Sequence, residues 1–128
     1  MTGHNNSIYS LVKLPDQRLA SASADLTIKI WNSSNGNLLN TFIGHTDWIM
    51  SLALLASEEN ESMIRLASGS FDKTIKIWNV NDGSLLSTLI GHSDRVSSLA
   101  LLADGNLASG SFDLSINVWN TRTGFQSI

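Results

Sequence analysis

LASGSFDKTIKIWN, residues 66–79, decides the fold, because the chain contains this segment twice more with few changes. Residues 19–32 read LASASADLTIKIWN, and residues 107–120 read LASGSFDLSINVWN. Three near-copies within 128 residues indicate an internal repeat, in which each copy folds into the same small unit and packs on its neighbours.

Two dipeptides give the period of the repeat. Gly-His occurs at residues 3–4, 44–45 and 91–92, in steps of 41 and 47 residues, and Trp-Asn occurs at 31–32, 78–79 and 119–120, in steps of 47 and 41. A six-residue insertion between His45 and Trp78 explains both orders, and the acidic stretch SEENESMIR (57–65) supplies it. We expect this stretch to be a solvated loop, with a docking segment as the alternative.

Each copy alternates apolar and polar residues over short segments that are separated by turn residues. In the third copy, for example, VSSLALL (96–102) and LASGS (107–111) flank the turn DGN. This period of two predicts β-strands, and the only proline, Pro15, lies in a predicted turn. We predict four strands per copy, which in the second copy cover residues 47–55, 65–70, 74–80 and 85–90.

Composition and charge exclude several classes of function. Hydrophobic residues make up 42% of the chain and charged residues 15%, which is typical of a globular protein. The net charge is −3, and the eight Lys and Arg residues are scattered, so the basic stripe of a nucleic-acid-binding protein is missing. We therefore expect no nucleic-acid partner.

The chain contains no cysteine, which is consistent with a reducing compartment. The first residues, MTGHNNSIYSL, show neither the basic nor the apolar part of a secretory signal, and no window approaches the roughly 18 apolar residues of a membrane span. We therefore expect an intracellular, cytoplasmic protein without a membrane partner.

The repeated Gly-His, the Trp followed by a small polar residue, and the period of about 40 to 45 residues resemble the WD40 repeat, the unit of a β-propeller. The typical Trp-Asp reads Trp-Asn here in all three copies. The resemblance covers nearly the whole chain and implies an all-β fold of three four-stranded antiparallel blades. They span about 3–43, 44–90 and 91–128, the last strand being truncated.

The resemblance also implies a hydrogen-bonded set in each blade. It joins the His before the first strand, a Ser in the second, an Asp in the following turn and the Trp of the third, so that buried polar groups satisfy one another. The three sets are His4, Ser21, Asp25, Trp31; His45, Ser68, Asp72, Trp78; and His92, Ser109, Asp113, Trp119.

Ser, His and Asp are also the members of a hydrolase triad. A triad occurs once per active site, whereas this set recurs three times at matching offsets, which favours a structural role. The sequence has no G-x-S-x-G elbow, no glycine-rich phosphate loop and no metal-spaced histidines. We therefore expect no enzyme activity, no cofactor and no metal.

Positions that differ between the copies are candidates for binding. Ser7, Trp48 and Arg95 are equivalent, as are Asn5, Thr46 and Ser93, and Ala24, Phe71 and Phe112 precede the turn Asp. By the resemblance, the Gly-His loops and the Asp turns lie on one end of the propeller, the top face. Trp, Phe and Arg dominate binding hot spots. The alternative is that Phe71 and Phe112 pack locally over their turns and that Trp48 covers a bulge. The candidate top-face residues are Trp48, Arg95, Phe71, Phe112, Ser7, Thr46 and Ser93.

These residues lead to two functional hypotheses. The first is a non-catalytic scaffold whose top face binds a protein or peptide segment. The second is a purely architectural repeat array that forms a ring by head-to-tail self-association and has no ligand of its own.

Three blades do not close a propeller, which typically has about four to eight. Each sheet has apolar side chains on both faces, and each face is buried only against a neighbouring sheet. In a chain of three blades, one face of each end blade therefore stays uncovered. Two explanations are open. Either the sequence is part of a longer WD40 protein with further blades, or identical chains join into a ring of six or nine blades.

Overall fold

The regular structure in the computed structural model, which describes residues 1–55 and 63–128, consists entirely of β-strands. No helix that could cross a membrane occurs in these two ranges. The expectation of a solvated loop at SEENESMIR concerns residues that lie mostly outside the described part of the chain.

The described residues form twelve strands in three separate antiparallel sheets of four strands each, and the strands of each sheet lie in chain order. The first sheet contains β1 (Ile8–Leu14), β2 (Arg18–Ser23), β3 (Thr27–Asn32) and β4 (Leu38–Ile43). The second contains β5 (Ile49–Leu54), β6 (Arg65–Ser70), β7 (Ile75–Asn79) and β8 (Leu85–Leu89). The third contains β9 (Val96–Leu101), β10 (Leu107–Ser111), β11 (Ile116–Asn120) and β12 (Phe125–Gln126).

This architecture confirms the predicted all-β class and the partial propeller of four-stranded sheets. The strands of the second sheet begin and end within two residues of their predicted bounds. The largest difference is at β5, which starts at Ile49 rather than at residue 47. The pairing of β5 with β6 shifts between Ile49 and Ser51, and the first and third sheets carry the same irregularity. A bulge therefore interrupts the regular ladder near the start of the first strand of every sheet, in β1, β5 and β9.

Two apolar cores lie between the sheets rather than within them. The first joins the first and second sheets and includes Ile28, Phe42 and Trp78. The second joins the second and third sheets and includes Ile75, Leu89 and Trp119. Because every strand alternates its side chains between two faces, a sheet in this arrangement contributes one face to each neighbour. Stability therefore depends on stacked neighbours, as in other repeat proteins.

Hydrogen bonds between sheets also join the first strands of neighbouring sheets, β1 with β5 and β5 with β9. The amide of Leu52 in β5 donates to the Ser10 hydroxyl of β1 over 3.2 Å. The amide of Leu99 in β9 donates to the Ser51 hydroxyl of β5 over 3.1 Å. Ser10 and Ser51 are equivalent in the repeat, so the same polar contact fixes the register of both sheet pairs.

The turn after the second strand of each sheet places a residue with a side chain in the left-handed region. Leu26, Lys73 and Leu114 have φ angles of 75°, 74° and 70°. Each of these residues directly follows the Asp of its turn. The Asp carboxylate accepts a hydrogen bond from the backbone amide two residues further on, as Asp72 does from Thr74 over 2.9 Å. The Asp thus holds a conformation that costs a residue with a Cβ about 1 to 2 kcal/mol.

Leu114 allows this cost to be measured, because its side chain is 97% exposed and contributes no burial. We expect Leu114→Gly to raise the free energy of unfolding by about 1 kcal/mol relative to Leu114→Ala, which keeps the Cβ. Urea unfolding of the two variants measures the difference. Equal stability of the Gly and Ala variants would show that the turn is not strained.

Candidate functional site

The second sheet shows how the four residues of one set are connected. The Trp78 indole N–H donates to the Ser68 hydroxyl over 2.8 Å, and Ser68 Oγ lies 2.6 Å from His45 Nε2. His45 Nδ1 lies 2.7 Å from Asp72 Oδ2. With the proton on Nδ1, indole, hydroxyl and imidazole each donate to the next group, and the carboxylate accepts at the end. Every polar atom of this buried chain then has a partner.

The same geometry occurs in the other two sheets. His4 lies 2.7 Å from Asp25 and 2.6 Å from Ser21, which accepts from Trp31 over 2.8 Å. The corresponding distances for His92 are 2.7 Å to Asp113 and 2.7 Å to Ser109, which accepts from Trp119 over 2.8 Å. The structure therefore brings together the residues of all three sets.

The carboxylate at the end of each chain also organises the backbone around it. Asp72 accepts the Thr46 amide over 3.1 Å and the Thr74 hydroxyl over 2.6 Å. Burial by itself would raise the pKa of Asp72, but hydrogen bonds from His45 and Thr74 outweigh it and hold this pKa well below its usual range. The turn and the Gly-His loop are thereby tied to one ionised group.

The glycine of Gly-His is required by the tryptophan ring. A Cβ placed on Gly44 would lie 3.0 Å from Trp78 Cη2, and one on Gly91 would lie 2.9 Å from Trp119 Cη2. Any larger residue would push the loop away from the indole and lengthen the hydrogen bonds of the adjacent histidine. In each Gly-His dipeptide, the Gly thus lets the backbone lie close to the Trp ring, and the His connects the Ser hydroxyl to the Asp carboxylate.

The burial of these groups bears on the catalytic alternative. Ser21, Ser68 and Ser109 are all buried, and the hydroxyl of each already accepts an indole N–H. A nucleophilic serine has to reach a substrate carbonyl, which these hydroxyls cannot do without opening the sheet. Among the described residues, no three or more His, Cys, Asp or Glu side chains are placed to hold a metal ion.

Above these networks, aromatic side chains from all three sheets form a continuous row. The Tyr9 and Trp48 rings are stacked with centroids 5.8 Å apart, and Trp48 and Phe71 are stacked at 5.5 Å. Phe71 and Phe112 follow at 5.7 Å in a tilted arrangement. We call Tyr9, Trp48, Phe71 and Phe112 the aromatic row. All but Phe71 are exposed, and Phe71 is half-buried.

Arg95 lies over this row. Its guanidinium carbon is 4.6 Å from the centroid of Phe71 and 5.8 Å from that of Phe112. Arg95 is exposed, and within the described part of the chain its guanidinium contacts these two rings and forms no ion pair or hydrogen bond with a carboxylate or carbonyl. The rings hold the cation in place and leave its donors available.

The remaining predicted top-face residues lie around the row but do not join it. Ser7, Thr46 and Ser93 are exposed, and they contribute backbone atoms to the fold. The carbonyl of Ser7 accepts from Ala24 over 2.9 Å, and the amide of Ser93 donates to Asp113 over 3.0 Å. Within the residues that the structure describes, their side chains form no hydrogen bond with the aromatic row.

Tyr9 was missed by the sequence analysis, although a signal for it exists. It is the counterpart of Met50 and Ser97 in the other copies, so this position differs between copies as strongly as the neighbouring one occupied by Trp48. The β-bulge at this point turns Tyr9 toward Trp48 rather than into the core. Alternation along a regular strand does not predict that direction.

A cavity of about 490 Å³ lies near the opposite end of the second and third sheets. Arg65 lines it and donates to the Thr121 carbonyl over 3.2 Å, and its buried Nε has no hydrogen-bond partner among the described residues. Its described lining contains no carboxylate or imidazole, and therefore no general acid–base pair. The other lining residues are Met63, Ile77, Leu86, Ser87, Arg122, Thr123 and Gly124.

Comparison with known proteins gives consistent matches. The family described as WD domain, G-beta repeat (WD40) matches residues 1–32, 36–79 and 83–120. The nuclear distribution protein PAC1 of Komagataella phaffii is 37% identical over 54 residues, covering 41% of this chain and 11% of that protein. The F-box/WD repeat-containing protein 7 of Drosophila melanogaster is 33% identical over 51 residues, covering 40% of this chain and 4% of that protein.

The Lissencephaly-1 homolog of Heterostelium pallidum is 50% identical over 34 residues, which cover 27% of this chain and 8% of that protein. The chain therefore matches only a small part of each of these relatives.

The networks predict a specific loss of stability. We expect Asp72→Ala to lower the free energy of unfolding by about 1 to 3 kcal/mol, because it leaves a buried imidazole and two backbone amides without their acceptor. We expect His45→Ala to have an effect of similar size. Thermal and urea unfolding measure the change. The control is Asp82→Ala, which removes an exposed carboxylate that accepts hydrogen bonds from Ser84 in its own turn. Unchanged unfolding of Asp72→Ala would contradict a stabilising role.

The lowered pKa values predict that acid destabilises the protein. Below the ordinary aspartate pKa of 3.8, the unfolded chain binds protons that the folded carboxylates of Asp25, Asp72 and Asp113 still exclude. The stability contributed by these groups is complete above about pH 5 and falls as the pH decreases further. Urea unfolding across this range measures the loss. Asp72→Asn should start less stable and show a shallower dependence, whereas parallel pH curves would contradict the linkage.

Proposed function

The chain belongs to the WD40 repeat family, and from that premise we propose that it is a non-catalytic scaffold that binds a protein segment through its top face. We place this function inside the cell, in the cytoplasm, with no nucleic-acid partner, because the chain lacks cysteine and a basic stripe. A protein-interaction role is the general role of the family.

The observation that carries the proposal is the aromatic row with Arg95 over it. Exposed aromatic side chains that touch one another offer apolar contact area without much conformational entropy to lose on binding. The row crosses all three sheets, so a segment lying along it would contact each repeat. The rigid turns beneath it, held by the buried networks, keep these side chains in fixed positions before binding.

Arg95 gives the proposed partner a chemical feature. A guanidinium held by two phenylalanine rings presents planar N–H donors that match the oxygens of a carboxylate. The partner that fits is therefore an extended peptide segment with apolar side chains along the aromatic row and one Asp, Glu or C-terminal carboxylate opposite Arg95.

A second candidate function is architectural, in which the chain contributes blades to a ring and binds no ligand of its own. The observation that favours it is the exposure of apolar residues on the outward faces of the first and third sheets, such as Leu11 and Ile116. Exposed apolar patches of this kind mark interaction surfaces in soluble proteins.

The peptide-binding proposal is tested by selecting random peptides displayed on phage against the immobilised chain and measuring the affinity of the selected sequences. We expect Trp48→Ala and Arg95→Ala each to weaken binding by a factor of about thirty, the size of a hot-spot contact of about 2 kcal/mol. The melting temperature should change little, because neither side chain belongs to the two apolar cores. Arg95→Lys, which keeps the charge but loses the planar fork, should be intermediate.

Leu86→Ala is the matched control, since Leu86 is an exposed apolar residue of β8 away from the row. Selected peptides should bind this variant as they bind the original chain. Peptides that bind the Trp48→Ala/Arg95→Ala double variant with full affinity would remove these residues from the site.

A further inference from the structure

The two outer sheets each expose a face that has an exact counterpart inside the molecule. We call the outward face of the first sheet the leading face, and that of the third sheet the trailing face. Ile8 on the leading face is 52% exposed, whereas its equivalent Ile49 is 1% exposed against the first sheet. Ile116 on the trailing face is 73% exposed, whereas its equivalent Ile75 is fully buried against the third. The other members are Leu11 and Leu19 on the leading face, and Ala100, Leu102, Ala108 and Val118 on the trailing face.

The chain itself shows twice what such faces bind. The trailing faces of the first and second sheets are covered by the leading faces of the second and third, and these contacts form the two apolar cores. The uncovered trailing face therefore matches a leading face in shape and chemistry. Among the described residues, the leading face that remains uncovered is that of the first sheet.

Polar groups repeat the same correspondence. Ser98 of β9 is equivalent to Ser10 and Ser51, whose hydroxyls accept amides from the next sheet. In the described residues, no amide donates to the Ser98 hydroxyl, which lies at the trailing face beside a shallow apolar depression. Leu11 pairs with Ser21 as Leu52 pairs with Ser68, so its amide has the register of the inter-sheet donor. One unused acceptor and one donor position thus remain, on opposite faces.

Met1 supplies a third correspondence. Phe42 pairs with Ile28 and Leu89 pairs with Ile75, so these outer-strand residues cover the isoleucine of their own sheet. Each stands two residues before the glycine of the next Gly-His. Met1 stands two residues before Gly3.

The contacts of Met1 agree with this alignment. A Cβ placed on Gly83 would lie 3.1 Å from Phe42, one on Gly124 would lie 3.6 Å from Leu89, and one on Gly36 would lie 3.6 Å from Met1. Met1 therefore lies against the first sheet as Phe42 lies against the second. The isoleucine that it would cover belongs to a preceding sheet, and Ile116 is the exposed isoleucine of that type.

We infer that two copies of this chain dock head to tail, the leading face of each on the trailing face of the other, and close a six-bladed ring. Across each junction, Ser98 accepts from the Leu11 amide of the second copy, and Met1 of the second copy covers Ile116. The inference rests on the architectural candidate function and is independent of the peptide site.

The number of blades selects two copies. Closed propellers have about four to eight blades, so one copy has too few and three copies would have nine. The described sheets of two copies make six, and the leading and trailing faces of both copies are then covered.

The solution mass tests this closure. We expect light scattering on a size-exclusion column to give, over a concentration series, a discrete species with twice the 13.9 kDa of one chain. Ile116→Asp and Leu11→Asp should each reduce the mass to that of one chain, because each places a charge in an apolar junction. Circular dichroism should show unchanged β-structure, since both residues are exposed in the single chain. Leu114→Asp, with the same change at an exposed turn residue, should leave the doubled mass.

Cross-linking locates the junction. The chain has no cysteine, so Leu11→Cys/Ser98→Cys introduces the only thiols. A short thiol cross-linker should join two copies of this variant covalently and should not extend the product beyond two. The control Ser10→Cys/Leu52→Cys places the same pair at an internal junction and should be cross-linked within one chain.

A single-chain mass at all concentrations would overturn the inference, as would a doubled mass that survives both Asp substitutions or a ladder of ever larger species. The top-face proposal is tested separately, because Ile116→Asp leaves the aromatic row intact. Retained peptide selection by a single-chain Ile116→Asp variant would show that the two proposals stand or fall independently.

Discussion

The hydrogen-bonded chain from Trp through Ser and His to Asp is the constraint on which each repeat depends. It ties the third strand, the second strand, the Gly-His loop and the Asp turn to one another, as Trp78, Ser68, His45 and Asp72 do in the second sheet. Because these groups are buried, removing one of them leaves the neighbouring polar groups without a hydrogen-bond partner, and water cannot replace it. The glycine beside the histidine belongs to the same constraint, since the indole leaves no room for a Cβ.

The residues that hold the fold differ from the residues that we propose for binding. The network residues are the same in every repeat and are withdrawn from solvent, whereas the side chains on the loops that they hold differ from one repeat to the next. The network fixes where these loops lie, but it does not require a particular side chain on them. This applies to Tyr9, Trp48, Phe71 and Arg95. In our proposal the triad-like set serves the fold, and the aromatic row above it binds the partner.

The stacking of sheets imposes a second requirement. Each sheet has two apolar faces, and in the described part of the chain only the second sheet has both of them covered. The exposure of Ile8 and Ile116, compared with the burial of Ile49 and Ile75, shows how much of the packing depends on a neighbour. In our inference a second copy provides that neighbour, and the contacts inside one chain already define the geometry of the junction.

The sequence by itself determined the repeat and the four strands of each sheet, because alternation and recurrence at fixed offsets depend on local order along the chain. The residues of the network were predicted from the resemblance of these repeats to the WD40 repeat. The sequence also identified Trp48, Phe71, Arg95 and Phe112 as positions that differ between copies. Only the tertiary structure decided that Tyr9 joins their row and that Arg95 lies over two phenylalanines. The physical reason is that a bulge redirects Tyr9, and that the ring contacts join residues from different sheets, whose distance depends on how the sheets stack.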